Sequence, residues 1–128
     1  MRFAIRRPIR PILQSASAEC GLACAGMLIE SFKKNRLQIQ SLRRRYDVTL
    51  RGMSLSNLIQ ILSDHGMMAR PLSVGLDRLK NVRLPCILHW RFNHFVVLEK
   101  ISKRHFHIVD PAVGSILADR EELDQNFT

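Results

Sequence analysis

Residues 14–27 read QSASAECGLACAGM. Cys20 stands where a polar loop gives way to an apolar run that reaches Ile29. From there Leu22, Ala25, Ile29 and Phe32 recur at steps of three and four, which marks one face of an α-helix over residues 20–32. Ser17 or Glu19 is placed to cap the start of that helix and Asn35 to end it. A thiol attacks only as its thiolate, and a free cysteine is mostly protonated at neutral pH. The start of a helix offers unpaired N–H groups and about half a positive charge, and both favour the anion. Cys20 is therefore a candidate nucleophile, and Gly21 beside it is expected to leave room for a substrate backbone. Free cysteine is also a common small core residue, so the assignment needs partners elsewhere in the chain.

Working outward, residues 1–10 form a basic, proline-containing N-terminal segment that reads as extended chain. A second short helix fits Ile39, Leu42 and Tyr46, with the arginines between them facing water. A third has Ser54 as N-cap, Leu55, Leu58, Ile59 and Leu62 inside, and Gly66 past its end. Beyond it the texture changes to strands. Residues 67–74 are expected to form one, held to an edge by Pro71. A helical turn follows at 77–81. Then 86–90, 92–101 and 105–110 are rich in Ile, Val, Phe and Leu and read as strands. Residues 111–114 make a turn, 115–118 a last strand, and Asp119 with Glu122 a capping box for a final short helix. Helices first and antiparallel strands second predict a single α+β domain over 1–128 in which the Cys20 helix packs on a sheet.

The strands supply the partners. In the sequence FNHFVVL, His94 interrupts an apolar strand and shares a face with Val96 and Leu98. Asp110, Ile108 and Phe106 share a face of the next strand. A hairpin turning around Ser102 sets position 94 opposite 110, with the two side chains about 5 Å apart at Cβ. A carboxylate there fixes the tautomer and orientation of an imidazole. His65, His89, His105 and His107 fall at helix ends, hairpin turns or the opposite face and suit surface or core roles. Gln14, six residues before Cys20, offers an amide N–H that could join the Cys20 backbone N–H in an oxyanion hole. Cys24 lies four residues beyond Cys20, and a C-x-x-x-C without a second pair is a weak zinc or redox signal. Cys24 and Cys86, each in an apolar run, are expected in the core.

The composition is that of an ordinary globular domain, 46% hydrophobic and 24% charged. No apolar run approaches the roughly 20 residues of a membrane helix, and no secretory signal is visible. Three cysteines with no repeated spacing predict free thiols. The net charge of +9 and pI of 10.5 permit an anionic partner. The basic clusters, Arg6, Arg7 and Arg10, then Arg43, Arg44 and Arg45, are not interleaved with aromatics, so nucleic acid is not expected as a partner. Solvated basic faces are the first reading of them, with attraction to a cytoplasmic leaflet or an acidic peptide as the alternative.

Three segments together, QSASAECGLACAGM, LPCILHWRFNHFVVL and HIVDPAVG, with RRRYDVTLRGMSLSNLI between them, resemble one family. It is the bacteriocin-processing cysteine peptidase domain of ABC transporters that export double-glycine-leader peptides, with a likeness to colicin V-type exporters. The resemblance implies a papain-like fold and cleavage after a Gly-Gly pair in the leader of a bacteriocin or microcin precursor. It implies Cys20 as nucleophile, His94 as base, Asp110 as its orienter and Gln14 as oxyanion donor, with no cofactor in this domain. As partners it implies the leader peptide and the membrane and nucleotide-binding domains of a longer transporter, placing the domain on the cytoplasmic side of the bacterial inner membrane. Two glycines fit a slot that excludes side chains, for which Trp90 is a candidate wall. An amphipathic leader would need an apolar groove. Degenerate members lack the cysteine and only bind the leader; that non-catalytic role is the alternative, and the presence of Cys20 counts against it.

Overall fold

The computed structural model describes residues 8–49 and 52–128 of the chain. Arg6, Arg7 and the rest of 1–7, and residues 50 and 51 of the RRRYDVTLRGMSLSNLI segment, lie outside them.

The first helix, α1 (Cys20–Lys33), is the centre of the molecule, with every residue from Cys20 to Ile29 buried. A helix apolar all round has to be enclosed, and three elements enclose this one. The helices α2 (Ile39–Arg45) and α3 (Leu55–Asp64) pack on one side of it. An antiparallel sheet lies on the other, its contact made chiefly by the second strand. The sheet is a meander, β1 (Cys86–Trp90), β2 (His94–Ile101), β3 (Phe106–Asp110) and β4 (Gly114–Ala118), in chain order. Helices packed on an antiparallel sheet is the architecture the order of elements predicts.

Both faces of the sheet are covered. Ile87, Phe95, Val97 and Val109 meet the helices. Leu88, Val96, Leu98 and Ile108 belong to a second core with Leu79, Trp90, Ala118 and Leu123. That core is closed by the 3-10 turn Leu76–Asn81 and by α4 (Arg120–Asn126). The capping box of α4 forms as expected: Asp119 Oδ1 accepts from the Glu122 N–H at 2.8 Å, and Glu122 Oε1 from the Asp119 N–H at 3.3 Å. Two buried layers on one sheet let a chain of this size enclose a sizeable core.

Several local expectations give way to tertiary contacts. Phe32 is 57% exposed, and α1 ends at Lys34, whose φ of 59° is left-handed, one residue before Asn35. Leu55 is half exposed and Ile61 takes its place inside, so the buried stripe of α3 is Leu58, Ile61 and Leu62. Residues 67–75 join no ladder. Met67 and Ala69 pack on the helical core while Val74 and Leu76 reach the second one. The segment is a strap that passes from one core to the other, and no neighbouring strand offers it hydrogen bonds. The N-terminal segment is pinned: Ile9 and Ile12 are buried, the Ile9 N–H donates to Glu99 Oε2 at 2.7 Å, and the Gln14 N–H donates to the Pro111 carbonyl at 2.8 Å. The basic clusters are partly structural. Arg10 forks onto Glu30 at 2.6 Å, and Arg43 binds Glu19 at 2.7 Å instead of facing water. Among the described residues no helix is long and apolar enough to cross a membrane.

Candidate active site

A 3-10 turn, Ser17–Glu19, leads into α1, so Cys20 is the first residue of the helix. Neither Ser17 nor Glu19 caps it; no side-chain hydrogen bond closes the helix start. Glu19 is occupied elsewhere. It accepts from Arg43 at 2.7 and 2.9 Å and from the Ser15 N–H and hydroxyl at 3.0 and 2.8 Å. Arg43, against the cost of burial, draws its carboxyl down to about 2. The N-terminal N–H groups of α1 are left to act on the sulfur, that of Gly21 among them.

His94 opens β2, and its Nε2–H donates to Asp110 Oδ1 at 2.7 Å. The thiol of Cys20 lies beside the same ring, close enough for each group to shift the other's proton affinity. Because Nε2 is engaged by Asp110, the nitrogen left for the sulfur is Nδ1. Asp110 chiefly, and Cys20 after it, hold the imidazole at about 9 against its burial. Burial alone would raise the Cys20 thiol. The hydrogen bond from His94, the Phe95 N–H, the imidazolium charge and the Gly21 N–H together bring it below its ordinary value. Asp110 follows the same pattern: burial raises it, while His94, the Ala112 N–H at 2.9 Å and the charge of Arg91 lower it further. The arrangement places a thiol whose ionisation is favoured, a readily protonated imidazole and a carboxylate in series. It is suited to attack on a carbonyl and proton delivery to a leaving group.

The register differs from the expected one. Val97 pairs with Val109, and continuing that register sets Asp110 opposite Val96, not opposite His94. The hairpin turns over residues 102–105 and not around Ser102, which offsets the ladder beside the turn by three, and the one-residue bulge between Leu98 and Lys100 takes one back. The displacement is two residues, so His94 and Asp110 remain on one face as diagonal neighbours and still meet. Gly21 also differs in purpose. A Cβ there would come 3.3 Å from Met53 Cβ and 3.5 Å from Phe95 Cδ2, so the glycine admits protein packing and not a substrate.

Gln14 and Trp90 lie, with His94 and Asp110, around an open cavity of about 520 Å³ whose lining does not include Cys20. Gln14 Oε1 is buried without a hydrogen-bond partner, an orphan that calls for a polar group arriving from outside. Cys24 is fully buried and its thiol is pushed well up, chiefly by burial; burial also raises Cys86, to about 11. No cluster of three metal-ligating side chains occurs among the described residues. Three of the other four histidines are engaged, His65 with the Ile61 carbonyl, His89 with Thr128 and His107 with Ser102, and His105 is exposed at the hairpin turn. What sequence reasoning misses here is the Phe95 N–H and the Arg43 brace on Glu19. A backbone donor leaves no residue-type signal, and the brace spans 24 positions.

The family model described as the peptidase C39 family matches residues 9–128. The chain is 42% identical, over its whole length, to the probable microcin-H47 secretion/processing ATP-binding protein of Escherichia coli. It is 41% identical to the colicin V secretion/processing ATP-binding protein of the same organism, and it spans 18% of the length of each. Among solved structures it is similar to a double glycine motif protease from an AMS/PCAT transporter in complex with the leader peptide. There the TM-score is 0.87 and the identity 32%, over 96% of this chain and 88% of that one. The peptidase domain of Streptococcus ComA, a bi-functional ABC transporter, superposes with a TM-score of 0.82 at 17% identity over 94% and 93% of the two chains, a likeness of fold.

Proposed function

The chain belongs to the peptidase C39 family of cysteine peptidases, papain-like in fold, and on that premise we propose that it cuts a leader peptide after a Gly-Gly pair. The substrate in this reading is a bacteriocin or microcin precursor. Cys20 is the nucleophile, His94 the base and then the acid, Asp110 the group that orients His94, and Gln14 a donor to the oxyanion. Its partners are the membrane and nucleotide-binding domains of an ABC transporter, and it works on the cytoplasmic side of the membrane. No cofactor takes part. The observation that carries the reading is the 2.7 Å hydrogen bond between His94 and Asp110 on neighbouring strands, with the Cys20 thiol beside that imidazole at the start of a helix with no side-chain cap. Support for the leader as substrate comes from the leader-bound relative and from the secretion/processing proteins of Escherichia coli.

In this reaction the thiolate attacks the carbonyl of the second glycine, with His94 already protonated. The negative charge that develops on oxygen is met by the Cys20 N–H and the Gln14 amide. His94 gives its proton to the departing nitrogen, the C–N bond breaks, and the leader is left as a thioester on Cys20. Water, deprotonated by His94, then releases it. A merely leader-binding domain would not need a thiol held below its ordinary pKa by an imidazole and two N–H groups. Mass spectrometry of a Gly-Gly precursor incubated with the protein tests the reading. Wild type yields the two fragments and Cys20→Ala yields none while keeping its fold; cleavage by Cys20→Ala overturns the assignment.

A further inference from the structure

We infer that the cavity beside His94 is a binding subsite for the peptide that follows the cut, and that it selects an apolar side chain there. The inference rests on the proposed peptidase reaction and on its geometry. A cysteine peptidase must protonate the departing nitrogen, and the donor is His94. That nitrogen therefore sits within hydrogen-bond reach of the imidazole, while the acyl part stays on Cys20. The chain that departs continues past His94, away from the sulfur. The cavity occupies that side: His94, Asp110 and Gln14 border it and Cys20 does not.

Its chemistry gives the class of ligand. Trp90 and Ala118, both nearly buried, are backed by the second core. Val113 and Ile116 bring apolar surface to the cavity, and Val113 is among the most exposed apolar side chains of the domain. Apolar surface left open beside reactive groups is a place for an apolar side chain. The charges that line the cavity come in opposite signs, Arg91 and the His94 imidazole against Glu122 and Asp110, so neither sign of charge in the ligand is preferred. This assigns Trp90 to the side beyond the cut and not to the slot for the two glycines.

The test is a set of precursors with one leader and one Gly-Gly pair, varied only in the two residues after the cut: Leu, Gly, Asp or Lys. With wild type, kcat/KM for the Leu peptides exceeds that for the Asp and Lys peptides by about tenfold, the scale at which an apolar pocket discriminates. In Ile116→Asp the Leu-to-Lys ratio falls by about tenfold or inverts. Each ratio is read within one protein preparation, so a general loss of activity cancels, and the wild-type series stands even if the variant does not fold. Equal cleavage of all four by wild type overturns the subsite and leaves the peptidase intact. An unchanged ratio in a folded Ile116→Asp also overturns it. Cleavage of none of them overturns the peptidase reading itself.

Discussion

Asp110 stands across the ladder from Val96, yet its Oδ1 lies 2.7 Å from Nε2 of His94, two residues along the same face of β2. The carboxylate thus reaches the imidazole diagonally, from the sheet side, and leaves the opposite ring nitrogen turned to α1. One residue pair joins the sheet to the helix through a single ring. The electrostatics of the site hang on it: Asp110 lifts His94, and His94 lowers Cys20.

Asp110→Asn removes the largest cause that lifts His94 to about 9. The imidazole then falls back toward its ordinary value of about 6.5. The alkaline limb of kcat/KM against pH, close to 9 in wild type, is expected to move down by more than one unit in the variant. The stability consequence has the matching sign. A raised folded-state pKa stabilises fully below the unfolded value of about 6.5 and loses that contribution as pH rises through about 9. Urea melts at pH 6 and pH 9.5 should therefore show the wild-type advantage shrinking at the higher pH. An alkaline limb that stays put in Asp110→Asn would mean that Asp110 does not tune His94.

The diagonal also explains how much of the site is readable from the sequence. Strand alternation has a period of two, so a register wrong by an even step still puts His94 and Asp110 on one face. Parity is local information, whereas the bulge near Glu99 is not. The same distinction runs through the fold. The apolar run of α1 announces a buried helix, but with every residue from Cys20 to Ile29 inside, periodicity could not say that Phe32 lies outside. The alternation of 67–74 is real, in that Met67 and Ala69 face inward. What it lacks is a partner strand, which no local pattern records. Glu19, well placed as a cap, is taken by Arg43 from another helix.

Gly21→Ala should slow the enzyme through packing alone. The new methyl meets Met53 Cβ at 3.3 Å and Phe95 at 3.5 Å, and Phe95 supplies an N–H to the Cys20 sulfur. Shifting the start of α1 or the Met53 side chain to relieve that contact costs about 1–3 kcal/mol of stability and disturbs the setting of the Cys20 sulfur. The expected result is a lower Tm and a kcat that falls while KM for the precursor changes little. A kcat equal to wild type would show that the helix start tolerates displacement.

Arg43→Ala leaves the Glu19 carboxylate, only 13% exposed at its side chain, with Ser15 as its remaining partner. The loss should be about 1–2 kcal/mol, less than a fully enclosed pair because Arg43 itself is partly solvated. Glu19 is depressed in the folded state, so its contribution is present above the unfolded value of about 4.5 and is lost as pH falls through about 2. Denaturant melts of wild type and variant should converge as the pH is lowered from 5. A gap that persists unchanged would assign the effect to packing and not to charge.

Gln14→Ala deletes a group whose oxygen is buried without a partner at the cavity edge. Stability should change little, since no side-chain hydrogen bond within the described residues is lost. If the amide meets the oxyanion, kcat falls by about 10²–10³ with KM nearly unchanged. A change confined to KM would make Gln14 a substrate contact and leave the Cys20 N–H as the remaining donor.

The three thiols should separate cleanly under alkylation, and the separation tests the electrostatic account of the site. Cys24 is fully buried and its thiol is pushed well up, while burial holds Cys86 at about 11. Cys20, itself only 6% exposed, is the one thiol lowered, by His94 first and by the Phe95 and Gly21 N–H groups with it. Reaction requires thiolate and access together. Native protein at pH 6.5 treated with iodoacetamide should therefore take up one carboxamidomethyl group rapidly, and intact-mass analysis of Cys20→Ala should find none on the same timescale. His94→Ala removes both the hydrogen bond and the charge, so the rate at Cys20 should fall and acquire the pH dependence of an ordinary thiol. Equal rates in wild type and His94→Ala at pH 6.5 would mean that the helix start and the Phe95 N–H hold the thiolate without the imidazole. The base would then be needed only to protonate the leaving nitrogen.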